Sequence, residues 1–179
     1  MFRKILSFGI ISGLVVGVPI FGLTLAMKGH SIPDLYAMLI TYLIMLIALS
    51  VVFIAIKRRR DEDLGGVISF LQALAMGLAI SFIASVFYVI AWEAALVVGH
   101  IDFAASYANG EIAAQQAKGV SGAALAKFVA EMNAFKAAYA NPLSLVPEAF
   151  SEIFPVGVLV SLISGALLCN RRFLPARRS

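Results

Sequence analysis

The chain has 179 residues, of which 61% are hydrophobic and only 13% charged, with a mean hydropathy of +0.96. A water-soluble domain is nearer half apolar and about a quarter charged, so this composition excludes an ordinary soluble fold and makes lipid the solvent for most of the chain. The net charge of +4 does not point to nucleic acid, because the basic residues gather at the ends of apolar runs, where the positive-inside rule accounts for them.

Four apolar runs follow one another: Ile5–Met27, Leu35–Ile56, Phe70–Val98 and Phe150–Cys169. Each is close to the roughly 20 residues that a helix needs to cross a hydrocarbon core of about 30 Å. None alternates strictly between apolar and polar, so helices are expected rather than barrel strands. The predicted fold is therefore an all-α integral membrane protein, a single membrane domain over 1–179. Its transmembrane helices run over 5–27, 35–56, 70–98 and 150–169. An extracytoplasmic insert covers 99–147, and a basic tail covers 170–179. Arg3, Lys4, Lys57, Arg58, Arg59, Arg60, Arg171, Arg172, Arg177 and Arg178 fall on one side of this arrangement, against Lys28, Lys118, Lys127 and Lys136 on the other. That bias predicts both termini in the cytoplasm. The first run is longer than a signal-peptide core and no A-x-A site follows it. It is read as an uncleaved helix, the alternative being a processed signal that leaves three spans.

In the first run Gly9, Gly13 and Gly17 recur every four residues and bare one helix face for a close neighbour. Pro19 removes one backbone donor there and is expected to kink the helix. Ser31, with Asp34 three residues on, is expected to cap the second helix. That helix lacks glycine, so more of it should face lipid, and Tyr42 within it is expected to pack with its hydroxyl bonded to a neighbour. The loop from Lys57 to Gly66 sets four bases beside three acids. Such a block can bind anionic headgroups, but self-compensating charge in a topology anchor is the preferred reading. Gly65 and Gly66 permit the reversal, and Ser69 with Gln72 forms a capping-box signature.

The third run carries a second stripe, Ala73, Gly77, Ser81 and Ser85. It is about 45 Å long at 1.5 Å per residue, so its far end should tilt or protrude, with Tyr88 and Trp92 at the interface. From Gly99 to Pro147 the chain is too long for a plain loop. Leu125, Phe128, Val129, Met132, Phe135 and Tyr139 recur at helical spacing, which predicts an amphipathic helix over Gly122–Ala140. A weaker helix is expected over Asp102–Lys118, the two forming a hairpin about Gly119 and Gly122. Asn141-Pro142 ends it. The fourth run carries the third stripe, Gly157, Ser161 and Gly165.

Ionisable groups within or near the membrane are the candidates for chemistry. Glu93, His100, Glu148 and Glu152, with Asp102 nearby, would converge on an extracytoplasmic patch for a metal or a cationic solute. Against this, Glu148 and Glu152 complement the dipole of the fourth helix. No HExxH, CxxC, P-loop or GxSxG pattern occurs, and His30 is a lone loop residue. No catalytic residue, cofactor or metal is therefore assigned. Cys169 is the sole cysteine, expected to be a buried inert thiol.

The stretch Arg60-Asp61-x-x-Leu64-Gly65-Gly66-x-Ile68-Ser69-Phe70, with Asn141-Pro142, Phe154-Pro155-Val156-Gly157 and Leu159-Val160-Ser161-Leu162-Ile163-Ser164, resembles an uncharacterised bacterial family of small four-helix membrane proteins known only as a domain of unknown function. The resemblance covers nearly the whole chain and implies four spans in a bacterial cytoplasmic (inner) membrane, with an extracytoplasmic insert before the last. It brings no activity. The leading expectation is a non-enzymatic protein in the lipid bilayer that acts through helix packing with itself, as a homo-oligomer, or with another membrane protein. A small transporter or channel subunit using Ser81 and Ser85 is the first alternative. A metal- or lipid-handling membrane enzyme is the second.

Overall fold

The computed structural model describes residues 2–27, 34–139, 141 and 144–175. These form α1 (Phe2–Ala26), α2 (Asp34–Arg58), α3 (Phe70–Gly99), α4 (Phe103–Ala117), α5 (Gly122–Ala138) and α6 (Leu145–Leu168), with no strand among the described residues. A single π-helical turn, Arg59–Asp63, extends α2. Four of the helices (α1, α2, α3 and α6) contain stretches long and apolar enough to cross a membrane. The expected Ser31 cap, Lys28, His30, Ala140, Pro142, Arg177 and Arg178 lie outside the described residues.

Helix α3 is the hub. It lies between α1 and α6, while α2 packs against α1 and α6 and touches α3 less extensively. In lipid, helices gain little from the hydrophobic effect against one another, so close van der Waals fit must hold them. The small-residue stripes provide that fit, and the structure shows which stripe meets which surface. Gly9, Gly13 and Gly17 of α1 face Ile83, Phe87 and Ala91 of α3. Each step of four along α1 is matched by a step of four forward along α3, which is the register of parallel helices. A Cβ at Gly13 would stand 2.5 Å from Phe87 Cγ, and one at Gly9 2.8 Å from Ile83 Cδ1.

The α3–α6 seam is antiparallel. Gly77 faces Ser161, Gly157 faces Ser81, and Gly165 faces Phe70 and Ala73. At the first two levels small residue meets small residue, so both backbones approach closely. The hydroxyls of this seam are satisfied internally. Ser161 donates to the Gly157 carbonyl at 2.7 Å, Ser81 donates to the same carbonyl at 3.3 Å, and Ser85 donates to the Ser81 carbonyl at 2.8 Å. On the other side of the bundle, the Ser12 hydroxyl donates to the Ala48 carbonyl at 2.7 Å and ties α1 to α2. Apolar side chains such as Val16, Met45, Leu49, Met76, Ile80 and Ile153 fill the remaining core.

Local signals explain the helix ends. Ser69 and Gln72 make both halves of a capping box. Gly65 and Gly66 have φ of 62° and 90°, the left-handed region that a side chain disfavours, and they turn the chain into α3. Asp102 caps α4 by accepting from the Ala105 N–H at 2.8 Å. Helix α6 starts at Leu145, ahead of the expected boundary at Phe150, because Pro147 sits in the first turn, where a missing N–H costs nothing. Pro19 and Pro155 lie inside α1 and α6, and both helices continue through them.

Candidate functional site

The polar groups that the core does not absorb lie at the two ends of the bundle. At the end opposite the termini, a ladder of aromatic rings joins three elements. Trp92 on α3 meets Phe103 edge-on at 5.5 Å, Phe103 stacks on Tyr107 at 6.0 Å, Tyr107 meets Phe135 at 5.3 Å, and Phe135 meets Tyr139 at 4.3 Å between ring centroids. The ladder explains why α4 and α5 stay together although α5 buries no residue. Lys136 adds a bond to the Asn109 side-chain oxygen at 3.0 Å. Gly119 and Gly122, with φ of 81° and 61°, turn the chain between the two helices.

The ladder ends on a carboxylate. The Tyr139 hydroxyl donates to Glu148 at 3.2 Å. Desolvation first, and the adjoining carboxylate second, hold that phenol above its ordinary pKa. One turn along α6, Glu152 accepts from the Tyr88 hydroxyl at 2.7 Å. Tyr88 is buried at the α3–α6 interface while Glu152 is exposed, so the phenol reaches outward from the core to hold the acid in place. Neither glutamate forms an ion pair among the described residues. The two carboxylates make an acceptor-rich, negatively charged edge on α6, positioned by tyrosines from two different elements.

Glu93 stands apart from this pair. It is half-buried, and its Oε1 is shielded from solvent and has no hydrogen-bond partner among the described residues. His100 is exposed and forms the left-handed C-cap of α3, with φ of 48°. Among the described residues no group of three or more His, Cys, Asp or Glu side chains is arranged to hold a metal ion. Glu93, His100, Glu148 and Glu152 therefore do not assemble into the metal patch that their sequence positions allow. Tyr42 also departs from expectation, being 42% exposed rather than packed away. Cys169 is half-buried rather than buried, its thiol 3.2 Å from the Ala166 carbonyl.

At the end that carries the termini, the charged loop is a closed network. Asp61 pairs with Lys57 at 2.6 Å and with Arg60 at 2.7 Å, and Asp63 pairs with Arg59 at 2.7 Å. Lys4 at the start of α1 bonds Glu62 at 2.9 Å and Asp63 at 3.0 Å. Sequence reasoning missed Arg60, which is only 1% exposed. Its guanidinium donates to the carbonyls of Phe173, at 2.9 Å, and Leu174, with a longer contact to Leu168 at 3.5 Å. It thereby reaches one last-turn carbonyl of α6, a group that a helix terminus leaves without an intrahelical partner, and two carbonyls of the segment beyond it. The only hint in the sequence is the position of Arg60 as the last base before the acids.

All ten small residues singled out in the sequence lie on α1, α3 and α6. Among them, the glycines and Ser81, Ser85 and Ser161 are engaged within this chain. Residues 7–170 match the family model described as Protein of unknown function (DUF4199), and the chain belongs to that family. No curated protein and no solved structure matches it.

Proposed function

We propose that this member of the DUF4199 family is a non-enzymatic, multi-pass protein of the bacterial cytoplasmic membrane that works by packing against a second copy of itself or another membrane protein. In this reading both termini lie in the cytoplasm, and α4 and α5 form an extracytoplasmic amphipathic hairpin at the outer interface. The bases at the terminal end support the orientation. The aromatic ladder supports the interfacial setting, because amphipathic rings collect at that depth.

One observation on α2 carries the partner reading. Between Leu35 and Leu43 every described side chain is exposed except the half-buried Thr41, whereas buried residues recur from Met45 onward. The apolar surface of a membrane span is covered either by lipid or by another helix, and among the described residues no side chain of Leu35–Leu43 is buried within this chain. The glycine stripes do not serve a partner, since they face helices of the same chain. The test is cross-linking in membranes with Leu39→Cys in a Cys169→Ser background, against Ile90→Cys on α3 as a lipid-facing comparison. The reading expects a dimer or a defined adduct from Leu39→Cys. Equal, diffuse cross-linking from both positions would sink it.

The Tyr88–Glu152 pair favours a second reading, a small transporter or channel subunit. Glu152 lies roughly 24 Å along α6 from Leu168 at 1.5 Å per residue, towards the far side of a core of about 30 Å, and acids within a span mark solute or proton pathways. The Ser81–Ser161 seam would have to open to continue the path. Solute flux in reconstituted vesicles that is lost with Glu152→Gln and Ser81→Val supports this reading. Absence of flux for ions and small metabolites removes it.

A further inference from the structure

The block of four bases, Lys57 to Arg60, looks like the natural seat for anionic lipid, but the structure shows it engaged elsewhere. The described residues at the terminal end hold eight bases (Arg3, Lys4, Lys57, Arg58, Arg59, Arg60, Arg171 and Arg172) and three acids, Asp61, Glu62 and Asp63. Lys4, Lys57, Arg59 and Arg60 all contact those acids within 3.0 Å. Arg58 reaches Glu62 only at 4.0 Å and lies over the Phe8 ring at 6.0 Å. Among the described residues no acid pairs with Arg3, Arg171 or Arg172, and all three are exposed.

These arginines are mounted on a braced rim. Lys4 ties the start of α1 to the loop acids, and the next residue back is Arg3. Arg60 ties the loop to the Phe173 and Leu174 carbonyls, and Arg171 and Arg172 immediately precede them. Phe53 packs edge-on against Phe173 at 6.4 Å and fixes the same segment from α2. Large apolar side chains stand exposed beside the rim, including Phe2 at 76% and Leu71 at 74%. A fixed positive charge next to bare apolar surface matches a molecule with an anionic head and an acyl tail. We infer that Arg3, in the first turn of α1, and Arg171 with Arg172, just past α6, bind the headgroups of anionic phospholipids while the 57–63 loop, whose acids hold Lys57, Arg59 and Arg60, braces them. This holds whichever leaflet that end of the bundle meets.

The test uses the full-length protein in a neutral detergent, titrated with short-chain phosphatidylglycerol or phosphatidylcholine and read by native mass spectrometry. Phosphatidylglycerol should bind more tightly, by roughly fivefold for each arginine engaged at low salt, and the preference should shrink as salt rises. Arg3→Gln, and separately Arg171→Gln with Arg172→Gln, should each remove part of the preference, and the triple variant should remove it. None of these side chains bonds an acid in the fold, so thermal unfolding should change little. Lys118→Gln with Lys127→Gln alters the net charge elsewhere and should leave the preference intact. Equal affinity for the two lipids would overturn the inference, as would a triple variant that keeps the preference or a Lys118/Lys127 variant that loses it. Inorganic phosphate binding over the same concentration range as the lipid would also overturn it, by showing a free-anion site.

Discussion

The closest approach in the bundle predicts a graded response to a single methyl group. An alanine at Gly13 would set its Cβ at 2.5, 2.7 and 2.8 Å from three atoms of Phe87, one of them the Phe87 Cβ, which moves only with its backbone. Overpacking of this kind costs about 1–3 kcal/mol, and the rigid partner places Gly13→Ala at the upper end. Replacing glycine by alanine inside a helix returns about 0.8–1.0 kcal/mol. The net expectation is a loss of about 2 kcal/mol, equivalent to roughly 4–8 °C in Tm for a chain of this size. A Cβ at Gly22 on the same helix would meet nothing within 4 Å, so Gly22→Ala should be neutral or slightly stabilising. Gly17, whose Cβ would stand 3.3 Å from Ala91 Cβ, should fall between them. Gly13→Leu should fail to assemble. The assay is thermal unfolding in detergent, with Phe87→Ala as a second site that removes the Cγ and Cδ2 contacts but keeps the Cβ contact, and so should relieve only part of the Gly13→Ala cost. If Gly13→Ala unfolds at the same temperature as Gly22→Ala, the α1–α3 approach is not as close as argued and the parallel register falls with it.

On the α3–α6 seam, Gly77→Ser alone adds a hydroxymethyl where a Cβ would already stand 2.7 Å from Ser161 Oγ. It should cost about 1–3 kcal/mol. The exchange Gly77→Ser with Ser161→Gly conserves volume and should recover at least about 1 kcal/mol as a coupling term in a double-mutant cycle, whereas additive losses would contradict the pairing. Arg60→Met removes the donors that hold the Phe173 and Leu174 carbonyls but leaves Asp61 with Lys57. It should cost about 2–3 kcal/mol and speed tryptic cleavage after Arg171 and Arg172, and an unchanged cleavage rate would show that Arg60 does not restrain the tail.

The length of the apolar runs made the four long helices legible, because crossing a hydrocarbon core demands a near-fixed number of apolar residues. The capping box at Ser69 and Gln72 and the reversal at Gly65 and Gly66 were legible for a related reason, being chemistry local to a few residues. Partner choice was not. The stripe at Gly9, Gly13 and Gly17 announces a close neighbour, but its period is the same whether that neighbour is α3, α6 or another chain. Arg60 was missed because its burial is decided by carbonyls more than a hundred residues away, and a base among bases reads as a solvated anchor. The glutamates of α6 were found, yet their holders Tyr88 and Tyr139 were not, since no spacing rule links an acid on one helix to a phenol on another.

These contacts bear on where any movement or exchange can occur. Three helices carry small residues at four-residue spacing, and those three are locked together through α3. Helix α2 has no such glycine stripe, and its buried side chains are Met45, Ala48, Leu49, Val52, Ala55 and Ile56. They lie from Met45 onward, which is also where Ser12 bonds the Ala48 carbonyl and where the 57–63 network fastens the end of the helix. The helix is therefore clamped at the terminal end of the bundle, while along Leu35–Leu43, at the other end, none of its described side chains is buried. The Tyr88–Glu152 pair lies at that other end of the bundle. Separating the first half of α2 from the bundle would leave the interhelical serine hydrogen bonds intact. Separating α1 would break the Ser12 bond, and separating α6 would break the contacts of Ser81 with Gly157 and Ser161.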